Sequence, residues 1–105
     1  MPVQKATDAD FVALLAEHER VVVKYYADWC GSCRLFAPKF KKMSDDVALA
    51  NVTFLDVNAE TDQAARKVAG VTNLPFFAAF RNGQLVGTVS ATKEEAVRDL
   101  IGRLA

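Results

Sequence analysis

Residues 29–33 read Trp-Cys-Gly-Ser-Cys and contain both cysteines of a 105-residue chain. The run before them, 21–27, is mostly apolar and rich in valine, which predicts a largely buried strand. The run after them, 34–47, has apolar residues at helical spacing. Two cysteines three residues apart on a first helical turn are close enough to form a disulfide and to reopen it by thiol exchange. The stretch therefore predicts a redox site between a strand and a helix.

Other uses of the pair Cys30 and Cys33 are weaker. Tetrahedral zinc needs four ligands, and His18 is the only other soft ligand in the chain. A metal shared between two chains lacks a second cluster of ligands. A purely structural disulfide would close a loop of a few residues and restrict the unfolded chain little. Redox exchange is favoured, and no metal or other cofactor is predicted.

Composition indicates one small globular unit, so we predict a single domain over residues 1–105. Thirteen basic and thirteen acidic residues leave a formal charge of zero, which gives no indication of a nucleic acid or a membrane surface as partner. No apolar run has the length of a transmembrane helix, and the first residues lack the features of a signal peptide. The expected location is the cytoplasm.

Apolar periodicity predicts alternating strands and helices over the first two thirds of the chain. In order, these are an edge strand 3–6, a helix capped by Thr7, the strand 21–27, a helix from about Gly31 to Val47 containing Pro38, a strand 52–57 and a helix 60–69 ending at Gly70. Asn82-Gly83 is a strong hairpin signal, and Thr92 with Glu95 predicts a capping box for a final helix. The prediction is an α/β fold, a central mixed sheet flanked by helices on both faces.

Over nearly its whole length the chain resembles the thioredoxin family. The matching segments are Tyr26-Ala27-Asp28, residues 29–33, Pro38, Leu74-Pro75 and the Asn82-Gly83 hairpin. The resemblance implies the thioredoxin fold and a monomeric protein disulfide reductase that is recharged by an electron donor of the thioredoxin-reductase type. In the family, the proline that matches Pro75 is cis and lies against the active cysteines.

The expected mechanism assigns different roles to the two cysteines. Cys30 at the helix N-terminus favours a thiolate and would attack a substrate disulfide. Cys33, deeper in the helix and less exposed, would then resolve the mixed disulfide. The resemblance implies that Trp29 and the segment Asn73-Leu74-Pro75 bind the substrate peptide, with the backbone of Leu74 turned outward to offer hydrogen bonds.

We assign redox tuning to Gly31, Ser32, Lys24 and Asp56, and the last three depart from the family pattern. A further departure is Ala91, where the family often has a glycine in the loop bordering the substrate groove. The family most often has proline at the position of Ser32, where serine adds a backbone N–H and a hydroxyl near the Cys30 sulfur. Lys24 takes the place of a buried Asp, and Asp56 that of a lysine. The two residues form either a charge-swapped buried pair or two charges that reach solvent separately.

Two other functions stay open at this point. The same fold serves as a protein-binding module whose cysteines regulate binding, and a thiol oxidase or isomerase uses the same chemistry at another potential. Possession of both cysteines together with Trp29 and Pro75 favours the reductase.

The helix after the motif is basic, with Arg34, Lys39, Lys41 and Lys42 before its first acidic residue. Such a run usually marks a solvated helix face. Arg34 directly follows Cys33, however, so it is placed where it would help to select acidic partners.

Overall fold

Strand β2 (Arg20–Tyr26) organises the fold, because its side chains alternate between two buried layers. In the computed structural model, which describes residues 2–105, Val21 and Val23 are fully buried on one side of β2. Val22 is fully buried on the other side. A strand that is buried on both faces needs helices on both faces of its sheet.

The described part of the chain contains five strands, β2 among them, and four α-helices. In chain order they are β1 (Gln4–Lys5), α1 (Phe11–Glu17), β2, α2 (Gly31–Ser44), β3 (Thr53–Asn58), α3 (Gln63–Ala69), β4 (Phe76–Arg81), β5 (Gln84–Ser90) and α4 (Glu94–Gly102). The sheet order is β1-β3-β2-β4-β5. Strands β1, β3 and β2 are parallel, whereas β4 pairs antiparallel with both β2 and β5. The predicted α/β fold with a mixed sheet is confirmed.

Helices α1 and α3 cover one face of the sheet, and α2 and α4 cover the other. The α2 layer is aromatic: the Phe40 ring lies 5.1 Å from Phe54 and 5.8 Å from Phe77, and Phe36 lies 4.9 Å from Phe77. Buried aromatic pairs contribute both apolar area and a preferred geometry. They hold α2 against the sheet and so fix its first turn relative to the end of β2.

Positive φ angles confirm two turns that the sequence predicted. Asn82 and Gly83 have φ of 51° and 79°, the left-handed pair expected for a two-residue hairpin between β4 and β5. Gly70, with φ of 66°, ends α3 in the left-handed conformation. Among helices of residues 2–105, none is long and apolar enough to cross a membrane.

The predicted caps of α1 and α4 were wrong. Thr7 does not cap α1, which begins four residues later; its N–H instead donates to Asp10 Oδ1 at 2.7 Å and forms a turn. Of the apolar residues in α1, Phe11, Leu14 and Leu15 are buried, whereas Val12 is 71% exposed. Helix α4 begins after Lys93 without a side-chain cap, so Thr92 and Glu95 do not form the predicted box.

The end of α2 also differs from the prediction. The helix stops at Ser44 instead of continuing to Val47, which is 87% exposed. The Asp46 carboxylate accepts a hydrogen bond from the Ala48 N–H at 2.9 Å. This bond caps a separate 3-10 turn, Val47–Leu49, and takes the chain out of the α-helix.

Candidate active site

The two cysteines lie at the junction between β2 and α2. Cys30 is the N-cap of α2, and Cys33 is on its first turn. Their sulfurs form a disulfide, with the Cα atoms 5.3 Å apart. The Cys33 N–H donates to Cys30 Sγ at 3.2 Å, so a free N–H of the helix N-terminus points at this sulfur. The same N–H would stabilise negative charge on Cys30 Sγ when the disulfide is open.

The expected difference in exposure between the cysteines is not seen. Cys30 is 4% exposed and Cys33 is 3% exposed, and both pack with Ala27. What distinguishes the two sulfurs is their surroundings. Cys30 Sγ accepts the N–H at the helix end, whereas Cys33 lines a cavity that it shares with Lys24 and Asp56. This difference could not be predicted from the sequence, because it depends on the direction in which each side chain points.

Ser32 contributes to the site through its hydroxyl, which lies 3.8 Å from Cys30 Sγ. The sequence suggested that its backbone N–H would also serve as a donor to this sulfur. In the structure the backbone donor belongs to Cys33 instead, because the first helical turn directs that N–H at the N-cap side chain. Gly31, the other intervening residue, is exposed and has no atom near its Cβ position.

The predicted substrate-binding residues differ in exposure, and Pro75 is buried. The peptide bond between Leu74 and Pro75 is cis, as the resemblance implied. Leu74 is half-buried and packs against the cluster that contains both cysteines. Trp29, adjacent to Cys30, is 66% exposed, and Asn73 is exposed. Trp29 and Leu74 thus place at least partly exposed apolar side chains next to the disulfide. The part of all four residues in substrate binding stays a prediction.

Lys24 and Asp56 form the charge-swapped pair that the sequence offered as one of two possibilities. They face each other across β2 and β3, with Lys24 Nζ 3.4 Å from Asp56 Oδ1. The Lys24 side chain is only 5% exposed, and its ammonium lies 5.4 Å from the centre of the Phe40 ring. Burial raises the pKa of Asp56, and the attraction of Lys24 opposes that rise.

A cavity of about 480 Å³ joins this ion pair to the active site. Cys33, Lys24 and Asp56 are among its lining residues. Asp56 Oδ1 is buried, and its ion pair with Lys24 is the one polar contact of this atom within the described part of the chain. The cavity is large enough for water, which occupies about 30 Å³ per molecule in the liquid. Cys33 and the Asp56 carboxylate therefore border the same cavity.

Arg34 holds the tryptophan-containing loop in a way that sequence reasoning missed. Its guanidinium Nη1 donates to the backbone carbonyl of Asp28 at 2.9 Å. This bond ties the residue before Trp29 to the first turn of α2. A side chain bound to a backbone carbonyl leaves no motif, so only the proximity of Arg34 to the cysteines was visible in the sequence.

Among the described residues, no grouping of ligands suits the zinc alternative. Across residues 2–105, no three or more His, Cys, Asp or Glu side chains are arranged to hold a metal ion. The disulfide itself occupies both thiols.

Comparison with known proteins agrees with the site. The sequence model of the family described as Thioredoxin matches residues 2–103. The chain is 33% identical to thioredoxin-1 of Saccharomyces cerevisiae over 101 residues, covering 96% of each chain. It is 31% identical to thioredoxin H-type of Chlamydomonas reinhardtii over 100 residues, covering 95% of this chain and 88% of the other. The solved structure of Plasmodium falciparum thioredoxin superimposes with a TM-score of 0.89 at 27% identity, covering 98% of this chain and 100% of that one.

Proposed function

The chain belongs to the thioredoxin family and is a thiol–disulfide oxidoreductase, and from that premise we propose that it reduces protein disulfides with Cys30 as nucleophile and Cys33 as resolving thiol. The observation that carries the assignment of roles is the Cys33 N–H at 3.2 Å from Cys30 Sγ. It stabilises negative charge on the attacking sulfur at the N-terminus of α2.

The reaction proceeds in two thiol exchanges. The Cys30 thiolate attacks one sulfur of the substrate disulfide, forms a mixed disulfide and expels the other substrate sulfur as a thiolate. Cys33 then loses its proton and attacks Cys30 Sγ, which releases the second substrate sulfur. The protein ends with the Cys30–Cys33 disulfide, and two electrons have passed to the substrate.

Asp56 supplies the acceptor for the Cys33 proton in this scheme. Its buried Oδ1 and Cys33 line the same cavity, and its pKa is raised by burial, which suits a group that takes up and returns a proton. Lys24 at 3.4 Å keeps the carboxylate in position. The proton reaches solvent through the cavity.

Thioredoxins reduce disulfide substrates and are reduced by thioredoxin reductase. We assign this chain a donor of that type, disulfide-containing proteins as substrates, and a monomeric state. The cytoplasm is the proposed location, because a reductase works where the surrounding thiols are kept reduced.

Trapping variants test the order of the cysteines. Cys33→Ser keeps the nucleophile but cannot resolve, so it should accumulate mixed disulfides with substrates such as insulin, seen as higher-mass bands on non-reducing gels. Cys30→Ser is the matched control and should abolish insulin reduction without trapping partners. Trapping by Cys30→Ser alone would reverse the assigned roles.

A further inference from the structure

The outer face of α2 carries four positive side chains and no negative one. Arg34, Lys39, Lys41 and Lys42 are all exposed. No Asp or Glu lies between residues 28 and 45. At 3.6 residues per turn, these side chains spread over about two turns of the solvent side of the helix. We call the four residues the α2 cationic face.

No residue of the α2 cationic face makes an ion pair with another of residues 2–105. Five ion pairs are formed among residues 2–105, and all of them use cations from other elements. Lys39 extends over the Phe36 ring at 5.9 Å, and Arg34 uses one terminal nitrogen on the Asp28 carbonyl. A guanidinium has five N–H donors, so Arg34 retains donors for a ligand while its position is fixed.

The distribution of charge over the whole chain makes this face distinctive. The chain has thirteen cations and thirteen acids. With four cations gathered on α2, the other nine face thirteen acids, so the remainder of the molecule is net negative. Such an asymmetry orients an approaching acidic partner toward α2.

The face begins directly beside the reacting sulfurs. Arg34 follows Cys33, and the exposed side chains of Trp29 and Leu35, 66% and 78% accessible, lie on the same helix end. From Arg34 to Lys41 the helix rises by about 11 Å, which an extended peptide covers with about three residues. A segment held at Cys30 thus reaches the face within a few residues of its own cysteine.

We propose that the α2 cationic face is a docking surface for acidic segments that flank the disulfide in protein substrates. This inference rests on the reductase function proposed above and adds a preference among its substrates. Exposed complementary charges act mainly on the rate of encounter and are screened by salt. The preference is therefore kinetic and strongest at low ionic strength.

Two peptides test the proposal. Each carries one cysteine as a mixed disulfide with the chromophore 5-thio-2-nitrobenzoate, and they differ only in having Glu or Lys on both sides of that cysteine. Release of the chromophoric thiolate by the reduced protein should be about fivefold faster for the Glu peptide at an ionic strength of about 0.02 M. At about 0.5 M the two rates should converge.

Charge-reversal variants separate the face from net charge. Lys41→Glu/Lys42→Glu should abolish or reverse the preference. The control variant Lys67→Glu/Arg103→Glu makes the same change in net charge at other places. Lys67 is on α3, on the opposite face of the sheet from α2, and Arg103 follows the end of α4. This variant should keep the preference for the Glu peptide. Equal rates for the two peptides with the wild type, or equal effects of the two double variants, would overturn the proposal.

Two further outcomes have their own meaning. If a short single-stranded RNA slowed peptide reduction by the wild type more strongly than an unreactive Glu-rich peptide did, nucleic acid would be the partner and the proposal would be wrong. If neither disulfide peptide were reduced, the proposed reductase function itself would fail, a result distinct from equal rates.

Discussion

The Ser32 hydroxyl lies 3.8 Å from Cys30 Sγ, where it can donate to the thiolate once the disulfide is reduced. A donor to the thiolate stabilises the reduced form and raises the reduction potential, so we expect the wild type to be less reducing than the reference value of about −270 mV for thioredoxin. Replacing Ser32 by Ala should lower the potential by about 30 mV, the equivalent of one hydrogen bond of about 1.4 kcal/mol for two electrons. Equilibration with a thioredoxin of known potential measures the shift.

Two further substitutions at the same position identify the donor. Ser32→Thr keeps the hydroxyl and should keep the potential. Ser32→Pro should match Ser32→Ala, because the backbone donor to Cys30 belongs to Cys33 and both variants lose the hydroxyl. A potential that fell in Ser32→Pro but not in Ser32→Ala would return the effect to the backbone N–H of residue 32.

The ion pair between Lys24 and Asp56 affects how the free energy of unfolding depends on pH. Burial raises the pKa of Asp56 above its ordinary value, so the folded protein binds this proton more tightly than the unfolded chain does. The stabilising contribution of Asp56 is therefore fully present below its unfolded pKa and is lost as pH rises through the folded pKa. We expect the unfolding free energy of the wild type, minus that of Asp56→Asn, to fall as pH rises from about 4 to 7.

A second variant tests the part of Lys24 in this titration. The Lys24 ammonium opposes the rise that burial causes in the pKa of Asp56. Lys24→Met should therefore make the loss of stability with rising pH steeper than in the wild type. Lys24→Met/Asp56→Asn removes both charges and should be less destabilised at neutral pH than either single variant. Urea unfolding at several pH values supplies the comparison, and parallel curves for all four proteins would rule out this coupling.

At the level of elements, α2 separates what the sequence could predict from what it could not. Its start at Gly31 and its buried residues Phe36, Phe40 and Met43 follow from the spacing of apolar positions. Leu35 has an equally apolar side chain but is 78% exposed. Periodicity identifies a helix well but does not show how far its buried face extends or where a competing turn ends it.

Helix caps were harder to predict, because their partners are remote in the sequence. The Asp8 carboxylate accepts hydrogen bonds from the N–H groups of Ala65 at 2.8 Å and Ala64 at 3.3 Å, at the start of α3. In return the Asp8 N–H donates to Asp62 Oδ1 at 3.0 Å. Cap motifs are local patterns, so a cap supplied from 57 positions away leaves no trace in them.

The site was predictable to the extent that its residues follow backbone spacing or the family pattern. The adjacency of Lys24 and Asp56 is of this kind, because neighbouring strands in register place them opposite each other. The cis bond at Pro75 came from the resemblance alone. Near-equal burial of Cys30 and Cys33 was not predictable, since it depends on side-chain packing that no spacing encodes.

On the scale of the whole molecule, β2 joins the two packed layers and ends at the active site. One layer holds α1 and α3 and the other holds α2 and α4, while adjacent side chains of β2 enter them alternately. Four residues separate the end of this strand from the first turn of α2. A change in the packing of either layer should therefore destabilise β2 and, through it, the structure around the disulfide.

Val21 and Val22 allow a matched test of this coupling. Both are fully buried and adjacent in β2, but they belong to different layers. We expect Val21→Ala and Val22→Ala each to lower the unfolding free energy by about 2 kcal/mol through lost burial and an unfilled cavity. Val47→Ala, at a site that is 87% exposed, should change the unfolding free energy by less than about 0.5 kcal/mol.

Urea unfolding of these variants is followed by two signals, the fluorescence of the single tryptophan, Trp29, beside the disulfide and far-ultraviolet circular dichroism. The two signals should coincide in every variant, because both layers share one strand and unfold together. Separate transitions in either variant would show that the layers are independent, and that β2 does not transmit a change in one layer to the other or to the active site.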